Sequence, residues 1–291
     1  NTKAPSVMDN GEHLAVAGKD FNVIFDLQNG TIESYNLDGH EIIMAGPTPD
    51  FWRVPTDNDL GAYKSGQKYM DLYVWRAAGE TVVNGRKVEK DSTSVKLTFD
   101  EKIPAINSIL KTIYTVYADG TVDVNMDFTP GEGLPSFMPR YGSRMVLAPG
   151  YENITWYGPG PEPTYQDRDV SPVGIYKSTV TKEWVDYSAP QENGYKSDVR
   201  WMKILNDEGK GLLFEGDPLI GFGAKHFDRL AMENSQYTFQ MPVRPEVCLN
   251  IDLKQSGVGG YNSWSPGGLP IDKYRVHTEP MVLKYRINPV K

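Results

Sequence analysis

Three short runs of the sequence mix carboxylates, amides, an arginine and aromatic rings, and these are the residues able to do chemistry. The first, "FWRVPTDNDLG", sets Arg53 among aromatics and the stiffening Pro55, then presents Asp57, Asn58 and Asp59 before Gly61. Read functionally, it is a polar loop in which a carboxylate holds Arg53, Asp57 or Asp59 reaches a ligand, and Gly61 is a hinge. Read structurally, it is a turn whose Asp and Asn side chains satisfy nearby backbone amides. The second run, "WYGPGPEPTYQDRD", contains Glu162, Asp167 and Arg168. Ring faces beside hydrogen-bonding groups suit a pyranose, which offers both hydroxyls and an apolar C–H face. Glu162 and Asp167 are a candidate carboxyl pair for acid and base work, and an Asp167–Arg168 structural network is the competing reading. The third, "APQENGYKSDVRW", adds Glu192 and Asn193, and reads equally as a solvated loop leading into a strand.

One further stretch, "GVGGYNSWSP", places the indole of Trp264 among glycine, serine, asparagine and proline. Glycine permits positive φ and Pro266 cannot donate to a ladder, so this is a loop. A tryptophan held on a stiff loop presents a flat apolar face to a partner, or else packs as a loop anchor.

Metal and nucleophile chemistry find little support. The Asp57–Asn58–Asp59 run does not match a D-x-D-x-D-G calcium loop, and the four histidines are far apart with no zinc spacing. No G-x-S-x-G elbow is present to serve a serine nucleophile. The single cysteine, Cys248, sits in the strand-like run "EVCLNIDL" and reads as a buried structural thiol. A net charge of -8 with no basic run argues against nucleic acid and anionic membranes as partners. No apolar run is long enough for a membrane helix.

Positioning these residues falls to β-structure. Period-two alternation dominates, as in "FNVIFDLQNGTIESYNL" around Asn29-Gly30 and "ILKTIYTVYADGTVDVNMDF" around Asp119-Gly120. Further strands are expected at "DGHEIIM", "SVKLTF", "SRMVLA", "NITWYG", "WMKILN", "GLLFEG", "QYTFQM" and "PMVLKYRI", with 28 glycines and 21 prolines supplying turns. The one helix candidate runs from Gln67 to Gly79, and Gly158 to Lys196 is the longest stretch without clear alternation. With no linker-like shift in composition, residues 1–291 read as one all-β antiparallel domain.

The runs "FWRVPTDNDLG", "PRYGSRMVL", "YGPGPEPTYQDR", "PQENGYKSDVRW" and "NSWSP" occur in that order along the chain. Together they resemble the C-terminal, small-chain domain of the family 2 β-galactosidases. The resemblance implies an antiparallel supersandwich of the galactose mutarotase type. It also implies a role beside a TIM barrel elsewhere in a longer chain, which carries the acid/base and nucleophile glutamates of a retaining glycosidase and the expected Mg and Na ions. This stretch then needs no cofactor and is inactive alone. The opening "NTKAPSVMDN", without an initiator methionine, fits that expectation. The implied partners are a β-galactoside such as lactose, the barrel, and in the full enzyme further copies of itself. Trp264 is the implied sugar platform, Gly61 begins a movable loop, and Asp57, Asn58 and Asp59 shape that loop. Pro163 and Thr164, and Tyr261 and Asn262, depart from residues found in relatives. Two other readings stand beside this one: a carbohydrate-binding module, and an aldose epimerase using His226 and Glu192.

Overall fold

The computed structural model describes residues 4–64 and 70–291. Alternation becomes ladder wherever one face must be buried: Ser108–Tyr117 and Val122–Thr129 pair antiparallel, with Leu110, Tyr114, Val116, Val122, Val124 and Met126 inward. Gly120 closes their turn at φ +93°, a conformation that glycine adopts without strain.

Sixteen strands form one sheet. It starts with the meander Ser6–Asp9, His13–Ala17, Phe21–Asp26, Thr31–Leu37 and His40–Asp50. It then crosses Arg140–Leu147, Val247–Gln255, Gly211–Lys225 and Met281–Val290 before ending in Val122–Thr129, Ser108–Tyr117, Ser94–Ile103 and Val82–Lys90. The fifteen-residue strand Gly211–Lys225 also starts a branch through Lys196–Leu205 and Asn153–Pro159 to Val173–Thr179. All these pairings are antiparallel.

The sheet curls back on itself. Strands far apart in its order touch through the core: Tyr35 donates to the carbonyl of Gly120 at 2.7 Å, Tyr114 to that of Gly30 at 3.1 Å, and the Phe25 and Tyr114 rings lie 5.1 Å apart. The result is a sandwich around one large apolar core that includes Trp52, Trp75 and Trp156.

Several local expectations are revised. "QYTFQM" is no strand: Thr238–Gln240 is a 3-10 turn, because the Gln240 side chain accepts the amides of Gln236 and Tyr237 and closes the chain on itself. Of the helix expected over Gln67 to Gly79, the part from 67 to 69 lies outside the described residues; Met70–Ala77 is 3-10 rather than α. The irregular stretch Gly158 to Lys196 contains the strand Val173–Thr179 and a short helix, Val180–Glu183. That strand has one neighbour and exposes Val173 and Ile175, so its alternation has no buried face to advertise it.

Candidate functional site

"TDND" is a helix start. Thr56 Oγ1 accepts the amide of Asp59 at 3.2 Å while Asp59 Oδ2 accepts the amide of Thr56 at 3.0 Å, a reciprocal cap that launches the helix Asp57–Lys64. The Asp and Asn signals that suggest a loop here serve as the helix's first turn. Gly61 therefore lies inside a helix instead of at a hinge. A Cβ there would fall 1.8 Å from the carbonyl oxygen of Ser263, so glycine is required for the helix to approach the loop that carries Trp264.

Arg53 ties the other end of that loop. Its Nε and Nη2 donate to the two oxygens of Asp59, both at 3.0 Å, while Nη1 donates to the carbonyl of Ser256 at 2.6 Å and Nη2 to that of Gly257 at 2.9 Å. The ion pair is almost wholly buried. Asn58 Nδ2 adds a bond to the carbonyl of Val258. Asp167 does not pair with Arg168. Its oxygens accept the amides of Val258 and Gly259 at 3.0 and 2.7 Å, which pins the loop from the opposite side. Within the loop, Asn262 Oδ1 accepts from the amides of Trp264 and Ser265 and from the Ser265 hydroxyl. This bracing leaves the Trp264 ring 76% exposed; none of the other five tryptophans is exposed. Its neighbour Tyr261 is exposed too.

Beside the root of the loop opens a polar cleft of about 480 Å³. Asp57 and Asn58 come to it from the helix, Asp167 and Arg168 from the second run, Gln191 and Glu192 from the third, and Val258 to Gly260 from the loop. The structure thus gathers four separate runs at one place. Gln191 was not picked out in the sequence although it stands in a quoted motif: its Oε1 accepts the Asp57 amide at 3.0 Å and its Nε2 donates to Asp57 Oδ2 at 3.2 Å. Tyr165, from the second run, and Tyr187 also line the cleft, and no local pattern marks Tyr187.

Other candidates fall elsewhere. Glu162 is exposed and does not line the cleft, so it forms no carboxyl pair with Asp167 there. Asn193 is a buried brace, accepting the amide of Val185 and donating to the carbonyl of Gln191. The run around it is no solvated loop: Lys196 is fully buried, paired with Glu183 and set 5.1 Å over the Trp156 ring. Burial would raise the Glu192 carboxyl, but Lys225 and Arg140 outweigh that and hold it below the usual carboxylate range. His226 bonds Glu152 through Nε2 at 2.6 Å and faces the Glu246 carbonyl through Nδ1, so it forms no acid–base couple with Glu192. Cys248 is half-buried, and burial pushes its thiol up. Among the described residues no cluster of three or more His, Cys, Asp or Glu could hold a metal ion.

Of the cleft's carboxylates, Asp167 is committed to amides and Glu192 to cations, while Asp57 is exposed and accepts from Gln191. Fold and cleft together define an all-antiparallel β-sandwich with a ligand-sized polar recess and a displayed indole. The family described as beta galactosidase small chain matches residues 17–287, and the chain belongs to it. It is similar to the β-galactosidase of Priestia megaterium, 32% identical over 90% of this chain and 25% of that protein, and to that of Halalkalibacterium halodurans, 31% identical over 93% and 27%. The chain therefore spans about a quarter of the length of these relatives. Among solved structures, galactose 1-epimerase from Lactobacillus acidophilus covers 99% of both chains at a TM-score of 0.49 and 8% identity.

Proposed function

We propose that this chain is the sugar-rim domain of a β-galactosidase that hydrolyses terminal β-D-galactosides such as lactose. The bond-breaking glutamates belong to a TIM barrel in the rest of that protein, and Trp264 completes the pocket as a stacking platform, chiefly for the aglycone sugar. The observation that carries the reading is the exposed indole on a loop braced from Arg53, Asp167 and Asn262. A flexible loop would lose entropy on meeting a ligand; this one is already ordered. The commitment of Asp167 to amides and of Glu192 to cations agrees with a binding role.

Stacking of an aromatic face contributes about 0.5–1.5 kcal/mol beyond its area. In the full-length protein, Trp264→Leu is expected to raise KM for lactose roughly five- to tenfold, or to shift the ratio of transglycosylation to hydrolysis, while single-turnover cleavage largely persists. Steady-state and single-turnover kinetics with a disaccharide separate the two. Unchanged disaccharide kinetics would remove the proposal.

A further inference from the structure

A second cavity, of about 240 Å³, lies on the other side of Glu192, which lines both recesses. Its wall gathers Arg140, Arg144, Lys225, Arg229 and Arg244 in a chain whose net charge is -8. Most of these cations have carboxylate partners: Arg140 faces Asp50, Glu192 and Asp252, Arg229 meets Asp50 at 2.7 Å, Lys225 meets Glu192 at 3.2 Å, and Arg244 reaches Asp228 and Glu246. Arg144 makes no side-chain hydrogen bond and no ion pair among the described residues, and feels Asp50 only at longer range. Arg140, 3% exposed, has Nε and Nη2 facing carboxylates at 3.2 and 3.6 Å yet hydrogen-bonded to none.

With Arg53, six cations line this cavity against three carboxylates, Asp50, Glu192 and Asp228. Asp50 attracts Arg229, Arg140 and Arg144 together, and Arg229 is repelled by both of the others. Arg140 has Glu192 and Asp252 besides Asp50, but Arg144 shares Asp50 at longer range with two better-placed guanidiniums, which leaves room for another anion beside it. Asp252 does not fill it: burial raises its carboxyl to about 7, so near neutral pH it carries only part of a charge. Trp52, Val54, Met145 and Met232 supply an apolar wall opposite. A volume below the ~300–1,000 Å³ of ordinary ligand pockets calls for a small guest.

We propose that this cavity is an anion-binding site, holding a small molecule through one carboxylate or phosphate group set against Arg144 with Arg140 and Arg229. Guanidinium forks match both groups geometrically. The inference is independent of the role given to Trp264.

The test is calorimetry on the full-length protein at fixed ionic strength, with inorganic phosphate, D-galactonate and neutral galactose as probes. Phosphate or galactonate is expected to bind here, and whichever does so identifies the source of the anion. Arg144→Gln should weaken that binding at least tenfold, Arg144→Lys should restore most of it, and Trp264→Leu should leave it unchanged. Removing an unpaired charge should not unfold the protein, and a melting curve equal to wild type verifies this. Competition on the wild-type protein supplies a readout free of any variant: neutral galactose should not displace the anion. Failure of both anions to bind, equal affinity in Arg144→Gln, or displacement by galactose would each overturn the proposal.

Discussion

Asp59→Asn changes one atom and should do disproportionate damage. Asp59 Oδ1 accepts from Arg53 Nη2, and Oδ2 accepts from Arg53 Nε and from the amide of Thr56. Every group facing the carboxylate is a donor. An asparagine amide must therefore turn its own NH2 toward a donor in either orientation. Arg53 would also remain charged in a site where both partners are about 2% exposed. Breaking a buried pair by removing one charge costs about 3–5 kcal/mol. At about 2–4 °C per kcal/mol, the melting point should fall by roughly 6–20 °C. The loss should also reach the Trp264 loop, because Arg53 holds the carbonyls of Ser256 and Gly257 at its root. The assay is thermal unfolding of the full-length protein followed by tryptophan fluorescence, with disaccharide KM measured well below the transition. Asp57→Asn serves as the stability control, since Asp57 is exposed and its one side-chain bond, from Gln191, can be kept. If Asp59→Asn melts within a degree of wild type, the claim that this pair holds the loop is wrong.

Gly61→Ala puts a methyl group 1.8 Å from the Ser263 oxygen where ordinary contact begins near 3.4 Å, so helix and loop must separate by about 1.6 Å; a crystal structure should show that shift, with a stability loss of about 1–3 kcal/mol. Glu101, buried beneath the Thr112 hydroxyl, has its carboxyl raised to about 7, by burial first and by Asp100 as well, against the pull of its Thr112 and Thr81 hydrogen bonds. The folded state then holds a proton that the unfolded chain releases near 4.5, so stability should be full below pH 4.5 and fall by roughly 3 kcal/mol as pH rises to 7. Glu101→Gln should flatten that part of the denaturant-midpoint profile; a profile parallel to wild type would contradict the assignment.

Much of the sandwich is written locally. Ser108–Tyr117 and Val122–Thr129 alternate cleanly about an Asp-Gly turn because one face meets the core, and the sequence shows it. Where a segment's partner is its own side chain, as at Gln240, or where one strand face is exposed and the other only half-buried, as around Val173 and Ile175, alternation misleads or says nothing. The helix at Asp57 was hidden by the same residues that start it, since capping and turning use one chemistry. Gly61 added to the disguise, and only Ser263, two hundred residues on, explains it. The runs holding Asp57, Asp167 and Glu192 were legible as sites, but their convergence was not. The charged cavity left one trace, two arginines four apart on a single strand, Arg140 and Arg144, which period two places on one face. Asp50 and Arg229 join them only through the fold.

The most direct measurement is a crystal structure of the full-length protein with a galactoside bound at its active site. The indole of Trp264 should lie flat against a sugar C–H face at van der Waals distance, about 3.5–4.0 Å. A bound galactoside with that ring turned to solvent, or covered by protein and touching no sugar, would contradict the account.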